Sequence, residues 1–85
     1  MITYEPHGKL VGLKEGTPEW MRAAKDELGL SASELGRMLE VGADGWRKWA
    51  MPEDKSQHRS PGVRVVALLK AYLAGYRPEG WPPGK

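Results

Sequence analysis

Residues 31–50, SASELGRMLEVGADGWRKWA, decide the fold of this chain. Leu35 and Leu39 are four residues apart, so their side chains lie on one face of a helix. Trp46 and Trp49, three apart, do the same further along. The stretch therefore predicts two short helices joined by a tight turn, the second of them basic and rich in tryptophan.

Start and stop signals extend this pattern to four helices. Thr17 and Pro18 are typical of a helix start, and Ser31 with Glu34 forms a capping-box pattern. Ser60-Pro61 repeats the signature of a cap followed by proline. The predicted helices cover residues 18–28, 31–39, 43–50 and 61–74. Small Gly36 suits the point where the second and third helices approach most closely.

The two ends of the chain have a different composition. In residues 1–16, β-prone residues flank turn-forming ones, which predicts an extended arm or a β-hairpin. Residues 76–85 are rich in proline and glycine, which predicts an extended tail. Trp81 in this tail either packs on the core or contacts a partner. The expected organisation is an arm at 1–16, a helical domain at 17–75 and a tail at 76–85.

The length and composition of the chain exclude several classes of protein. With 85 residues, one domain with a modest core is expected. No cysteine is present, which excludes disulfides and thiol chemistry, and no apolar run suits a membrane span, so we expect a cytoplasmic protein. His7 and His58 have no second ligand at metal-binding spacing. No metal, cofactor or enzyme activity is predicted.

Charge is distributed unevenly along the chain. From residue 1 to 41 there are five basic and seven acidic residues, a balance of −2. From residue 42 to 77 there are seven basic and three acidic residues, a balance of +4. The positive half begins at the third predicted helix, which favours a polyanionic partner on one face.

The pattern resembles the helix-turn-helix of the lambda-repressor-like (Cro/C1, XRE-type) family of DNA-binding proteins. The matching positions are Ser31, Leu35, Gly36, Leu39, Val41, Trp46, Arg47, Lys48 and Trp49. The likeness covers about residues 17–75. The resemblance implies an all-α, four-helix lambda-repressor-like domain carrying the arm and the proline-rich tail.

Three positions of the motif bear on its geometry. Glu40 stands where the family usually has a turn glycine, and Gly42 where it has serine or threonine. Either Glu40 adopts a positive φ at some cost, or Gly42 supplies that conformation one step later. Gly45 lies inside the third helix, where glycine is unfavourable; it either allows close approach to DNA or leaves the helix partly mobile.

The resemblance also implies which side chains touch DNA. In that family the second helix of the motif enters the major groove. The implied base contacts are Ala43, Asp44, Arg47 and Lys48. The implied phosphate contacts are Ser31, Ala32 and Ser33 at the start of the second helix and Lys55, His58, Arg59 and Ser60 in and after the following loop. Asp44 either accepts from a cytosine amino group or orients Arg47 by an ion pair.

The function expected from the resemblance is sequence-specific transcriptional regulation by a repressor that binds double-stranded DNA as a homodimer. Two alternatives remain open from the sequence. One is a protein-interaction module, an antitoxin or adaptor that grips a protein partner through the arm or tail. The other is a phage accessory protein that binds DNA without sequence preference.

Overall fold

The computed structural model describes residues 4–79 and 81. A short 3-10 helix at Gly8–Leu10 is followed by α1 (Pro18–Leu28), α2 (Ala32–Met38), α3 (Gly42–Ala50) and α4 (Val63–Leu73). No strand occurs among the described residues, so the prediction of an all-α chain with four α-helices is confirmed. Within the same range, no helix has the length and apolar character that crossing a membrane requires.

The termini of α1 follow the sequence signals. The Thr17 side chain accepts a hydrogen bond from the Trp20 backbone N–H at 3.3 Å, and Pro18 occupies the first helical position. Gly29 ends the helix in the left-handed conformation with φ +70°, and its N–H donates to the carbonyls of Lys25 and Asp26. The helix therefore has the predicted bounds.

The core is organised around α1. This helix contacts the 3-10 helix, α3 and α4, whereas α2 packs chiefly on α3. Trp20, Met21 and Ala24 on its inner face are fully buried. Trp20 also donates its indole N–H to the Tyr4 hydroxyl at 3.3 Å, so its one polar atom is satisfied. The other buried apolar residues are Leu10, Ala23, Leu30, Leu35, Trp46, Trp49, Leu69 and Tyr72.

Of the two alternatives expected for residues 1–16, an extended arm or a β-hairpin, the β-hairpin is not found among the described residues. Gly8–Leu10 forms a 3-10 helix instead, and Gly8 and Gly12 on either side of Leu10 have φ of +55° and +83°, which an extended strand does not adopt. Leu10 inserts fully into the core, and the Lys9 N–H donates to the Glu27 carboxylate at 2.9 Å. The earlier part of the expected hairpin, residues 2–3, lies outside the described residues.

The start of α4 also differs from the prediction. The helix begins at Val63, two residues after Pro61, and its N-cap is Gly62, which has no capping side chain. The Gly62 carbonyl accepts the N–H groups of Val65 and Val66, at 3.1 and 3.2 Å. The Ser60 side chain therefore does not start this helix.

The sequence predicts that the tail is extended and non-helical. Its described part is non-helical, but it folds back on α4. The Tyr76 N–H donates to the Ala71 carbonyl at 2.9 Å. Trp81 packs on Tyr72 with ring centroids 5.4 Å apart, and the Arg77 guanidinium lies 4.4 Å above the Trp81 ring. Of the two roles open to Trp81, packing on the core is the one observed.

Candidate nucleic-acid interface

The helices α2 and α3 meet at a glycine. A β-carbon on Gly36 would collide with the backbone carbonyl of Gly42 and would lie 2.9 Å from the Ala43 nitrogen. The Val41 N–H donates to the Gly36 carbonyl at 2.8 Å, which closes the turn between the helices. The need for a small residue at Gly36 is confirmed, and it fixes where the first turn of α3 stands.

Both residues that the sequence offered for the turn adopt positive φ. Glu40 has φ +62° and Gly42, the first residue of α3, has φ +72°. Glu40 is the one non-glycine residue with positive φ among the described residues. The turn thus requires left-handed backbone at two nearby positions, and only one of them carries the residue type that tolerates it well.

Gly45 has a packing role that sequence analysis did not consider. A β-carbon at this position would lie 2.6 Å from the Val41 β-carbon. Val41 sits in the turn one helical turn earlier, and its side chain occupies the space that a larger residue at Gly45 would need. The glycine therefore accommodates the turn between α2 and α3.

The inner face of α3 is held by its two tryptophans. Trp46 and Trp49 are both buried, and their rings meet edge to face with centroids 6.2 Å apart. Their place in the core is as predicted. Burial of these two residues directs the opposite face of α3 outward.

The outward face of α3 carries three of the four predicted base-contacting residues as exposed side chains. Asp44, Arg47 and Lys48 are exposed, and Ala43 is half-buried. Arg47 donates from Nη1 to Asp44 Oδ1 at 3.0 Å, with side-chain exposures of 66% and 89%. Such an exposed pair is worth at most about 1 kcal/mol, so it orients Arg47 without preventing it from binding another acceptor.

The start of α2 carries three of the predicted phosphate-contacting residues, Ser31, Ala32 and Ser33. Ser31 Oγ accepts the Glu34 N–H at 3.1 Å, while Glu34 Oε1 accepts the Ser31 N–H at 2.8 Å. This is the capping box that the sequence predicts. Because Ser31 Oγ only accepts in this contact, its hydroxyl hydrogen can still donate. Ser33 is exposed and Ala32 half-buried.

The loop after α3 is anchored to the end of that helix. The Arg59 N–H donates to the Lys48 carbonyl at 3.1 Å, and His58 Nδ1 lies 2.9 Å from the Met51 carbonyl. A carbonyl only accepts, so His58 Nδ1 donates in this contact and is already occupied. Lys55 and Arg59 are exposed.

Ser60 directly follows Arg59 and is exposed. It lines a depression together with Lys14, Glu53 and residues at the start of α4. Among the four predicted residues of this loop, Lys55 and Arg59 are exposed cations, so they fit the predicted phosphate role best.

Two basic residues of α1 join this surface and were missed by sequence analysis. Arg22 donates from Nη1 to the Ala50 carbonyl at 2.8 Å and so satisfies a backbone acceptor at the end of α3. Arg22 and Lys25 also line a groove beside Arg47. They are three residues apart on one face of α1, a spacing visible in the sequence. Their proximity to α3 depends on tertiary packing and has no local signal.

Comparison of the chain with protein-family models, curated proteins and solved structures gives no match. What this surface binds is therefore inferred from its own residues.

Proposed function

We propose that the protein is a sequence-specific DNA-binding regulator, a repressor of transcription in the cytoplasm, and that α2 and α3 form a helix-turn-helix of the lambda-repressor-like kind. The observation that carries the proposal is that α3 has one buried face and, opposite it, one exposed basic face. One face is fixed to the core by Trp46 and Trp49, and the other presents Arg47 and Lys48 to solvent. A rigid helix with an exposed basic face has the size and charge that suit the major groove.

The proposed division of roles follows the exposure of each side chain. Arg47 donates to guanine O6 and N7, Lys48 to a base or a phosphate, and Asp44 either accepts from cytosine or keeps orienting Arg47. Ala43 meets a thymine methyl group. Ser31, Ala32 and Ser33 at the start of α2, and Lys55 and Arg59 beyond α3, hold the DNA backbone.

Operator recognition in this proposal uses a homodimer with one α3 in each half-site. Half-sites about one helical turn apart, some 34–36 Å, are the geometry that such dimers recognise. A palindromic target would then show binding that depends on the spacing between its halves.

The test is equilibrium binding to the DNA upstream of the protein's own gene and to a scrambled duplex, across a salt series. Tight binding to the first duplex alone, with log K falling steeply with log salt, supports a site-specific regulator. Equal binding to both duplexes supports the non-specific accessory protein. Absence of binding to either at low salt removes the proposal.

A double variant separates base recognition from general charge. Arg47→Ala with Lys48→Ala should abolish discrimination between the two duplexes, since each good bidentate contact contributes about 1–3 kcal/mol. The matched control is Lys9→Ala with Lys14→Ala, which removes the same charge from exposed residues outside α3. Discrimination that survives the first variant, or is lost equally in the control, contradicts the proposed roles.

A protein-interaction role is the second candidate, and one observation favours it. Val63 at the start of α4 is 86% exposed. It lines a depression of mixed character, in which Pro61 and Val66 lie beside charged residues such as Lys14 and Glu53. An antitoxin or adaptor would use the exposed Val63 side chain as an apolar contact for a protein partner. In that case the double variant Arg47→Ala with Lys48→Ala would still bind the protein partner but would no longer bind DNA.

A further inference from the structure

A groove of about 350 Å³ lies where α1, the first turn of α2 and the last turns of α3 meet. Its floor is apolar and includes Ala32, Ala50 and Met51, together with an edge of Trp46. Three basic residues complete the lining, and no acidic side chain is among the lining residues. The groove therefore combines an apolar floor with a positively charged rim.

The rim consists of Arg22, Lys25 and Arg47. Each of these cations has a carboxylate partner on its own helix that lies outside the lining. The three pairs are Arg47 with Asp44 at 3.0 Å, Lys25 with Asp26 at 3.4 Å and Arg22 with Glu19 at 4.0 Å. Exposed pairs of this kind are weak, so a stronger anion in the groove can take over the cations.

Asp26 is shared between two lysines. Lys9 Nζ lies 3.5 Å from its Oδ2, and Lys25 Nζ lies 3.4 Å from its Oδ1. Lys25 lines the groove, whereas Lys9 is not among the lining residues. The charges of the three rim cations and their three carboxylate partners balance, but only the cations line the groove. The lining itself therefore presents positive charge alone, which suits an anion.

We propose that this groove binds the sugar–phosphate backbone of double-stranded DNA, with a phosphate held by Lys25 and Arg22 and the deoxyribose against the apolar floor. The inference rests on the proposed function. Arg47 links the two, because it belongs both to the rim of the groove and to the exposed face of α3.

Arg22 couples this backbone contact to the position of α3. Its Nη1 donates to the Ala50 carbonyl, and a guanidinium has five N–H donors, so others remain for a phosphate. The residue that receives the DNA backbone is therefore the same residue that holds the end of α3.

The decisive experiment compares two lysines that share one carboxylate. Lys25→Gln removes a charge from the groove rim, whereas Lys9→Gln removes a charge from the other side of Asp26. Binding of each variant to the upstream and the scrambled duplex is measured across the salt series. The slope of log K against log salt is negative, and Lys25→Gln should make it less steep by about 0.9, the value for one phosphate contact. Lys9→Gln should leave the slope unchanged.

Affinity provides a second readout. Since a backbone contact carries no sequence information, Lys25→Gln should weaken both duplexes by the same factor. A selective loss on the upstream duplex would instead make Lys25 a base contact and would overturn the inference.

A third variant places a negative charge in the groove at Ala32, which is half-buried beside the core. Ala32→Glu adds a carboxylate to the first turn of α2, where an acidic residue favours the helix. Thermal stability should be kept or raised, while affinity for both duplexes falls. Retained affinity in a stable Ala32→Glu protein overturns the groove assignment.

The outcomes separate this inference from the proposed function. If the wild-type protein binds with a steep salt slope and Lys25→Gln matches Lys9→Gln, the groove assignment is wrong and the regulator proposal stands. If the wild-type protein binds neither duplex at low salt, both are wrong.

Discussion

The junction between α2 and α3 and the packing of α4 with the tail are held together by different means. At the junction, backbone meets backbone: Gly36 faces Gly42 and Ala43, and the turn between them is closed by a main-chain hydrogen bond. Around α4, side chains dominate: Trp81 packs on Tyr72 under the Arg77 guanidinium. Backbone contacts tolerate almost no change in shape, whereas side-chain contacts can be repacked.

The difference matters for the proposed function. The rigid junction fixes the angle at which α3 presents Arg47 and Lys48. The region of α4 and the tail contributes stability and leaves an apolar residue, Val63, on the surface. Changes in the two regions should therefore differ in size and in their effect on DNA binding.

The largest effect is expected from Gly36→Ala. The added methyl group overlaps backbone atoms of Gly42 and Ala43, which cannot move without displacing α3. We expect a loss of about 3 kcal/mol in the free energy of unfolding, measured in urea. Gly62→Ala is the control, because no atom lies within 4 Å of a β-carbon there, and it should lose at most about 1 kcal/mol. Equal losses in the two variants would contradict the proposed rigidity of the junction.

The next effect is expected from Trp81→Ala. This change removes the packing on Tyr72 and the cation–π contact with Arg77, and should destabilise the protein by about 2 kcal/mol. Thermal unfolding measures the loss, with exposed Glu79→Ala as control. Under the proposed function, DNA affinity per folded molecule should not change, because Trp81 packs on Tyr72 and Arg77 and not on α3. A stability equal to the wild type would show that the packing of Trp81 contributes nothing.

Local signals explain how much of the fold the sequence predicts. The caps at Thr17 and Ser31 act over three residues, and the stop at Gly29 depends on one conformation, so all three were predictable. The start of α4 was misplaced because Ser60-Pro61 resembles a cap, while the observed N-cap is a glycine without a capping group.

The candidate site shows the same limit. The choice of Arg47 and Lys48 rests on the resemblance to the helix-turn-helix family, whereas the pairing of Arg47 with Asp44 follows from their helical spacing. The contact of Arg22 with the Ala50 carbonyl joins residues 28 positions apart, and no local pattern encodes it. The sequence indicates that glycine is unfavourable at position 45, but the contact with Val41 that requires it depends on the turn between α2 and α3.

Smaller effects, opposite in sign to each other, are expected at Glu40 and Gly42, the two residues with positive φ in the turn between α2 and α3. Glu40→Gly should stabilise the protein by about 1 kcal/mol, because glycine adopts φ +62° without the clash of a β-carbon. Gly42→Ala should destabilise it by about the same amount for the converse reason. A β-carbon at Gly42 has no neighbour within 4 Å, so its effect reports backbone conformation alone. Urea unfolding of both variants measures the pair, and the same sign for both would contradict this account of the turn.

The smallest effect concerns the side-chain link between α1 and the 3-10 helix. A hydrogen bond from Lys25 and the charge of Lys9 lower the pKa of Asp26 below its ordinary value of 3.8. A lowered pKa favours the carboxylate in the folded state, so the contribution to stability is present above pH 3.8 and is lost as the pH falls through the folded-state value. Asp26→Asn should therefore be slightly less stable than the wild type near neutral pH, and the two should converge in acid. Because the carboxylate is exposed, added salt should shrink the difference. A difference in the free energy of unfolding that persists in acid or in high salt would mean that Asp26 acts through something other than these two charges.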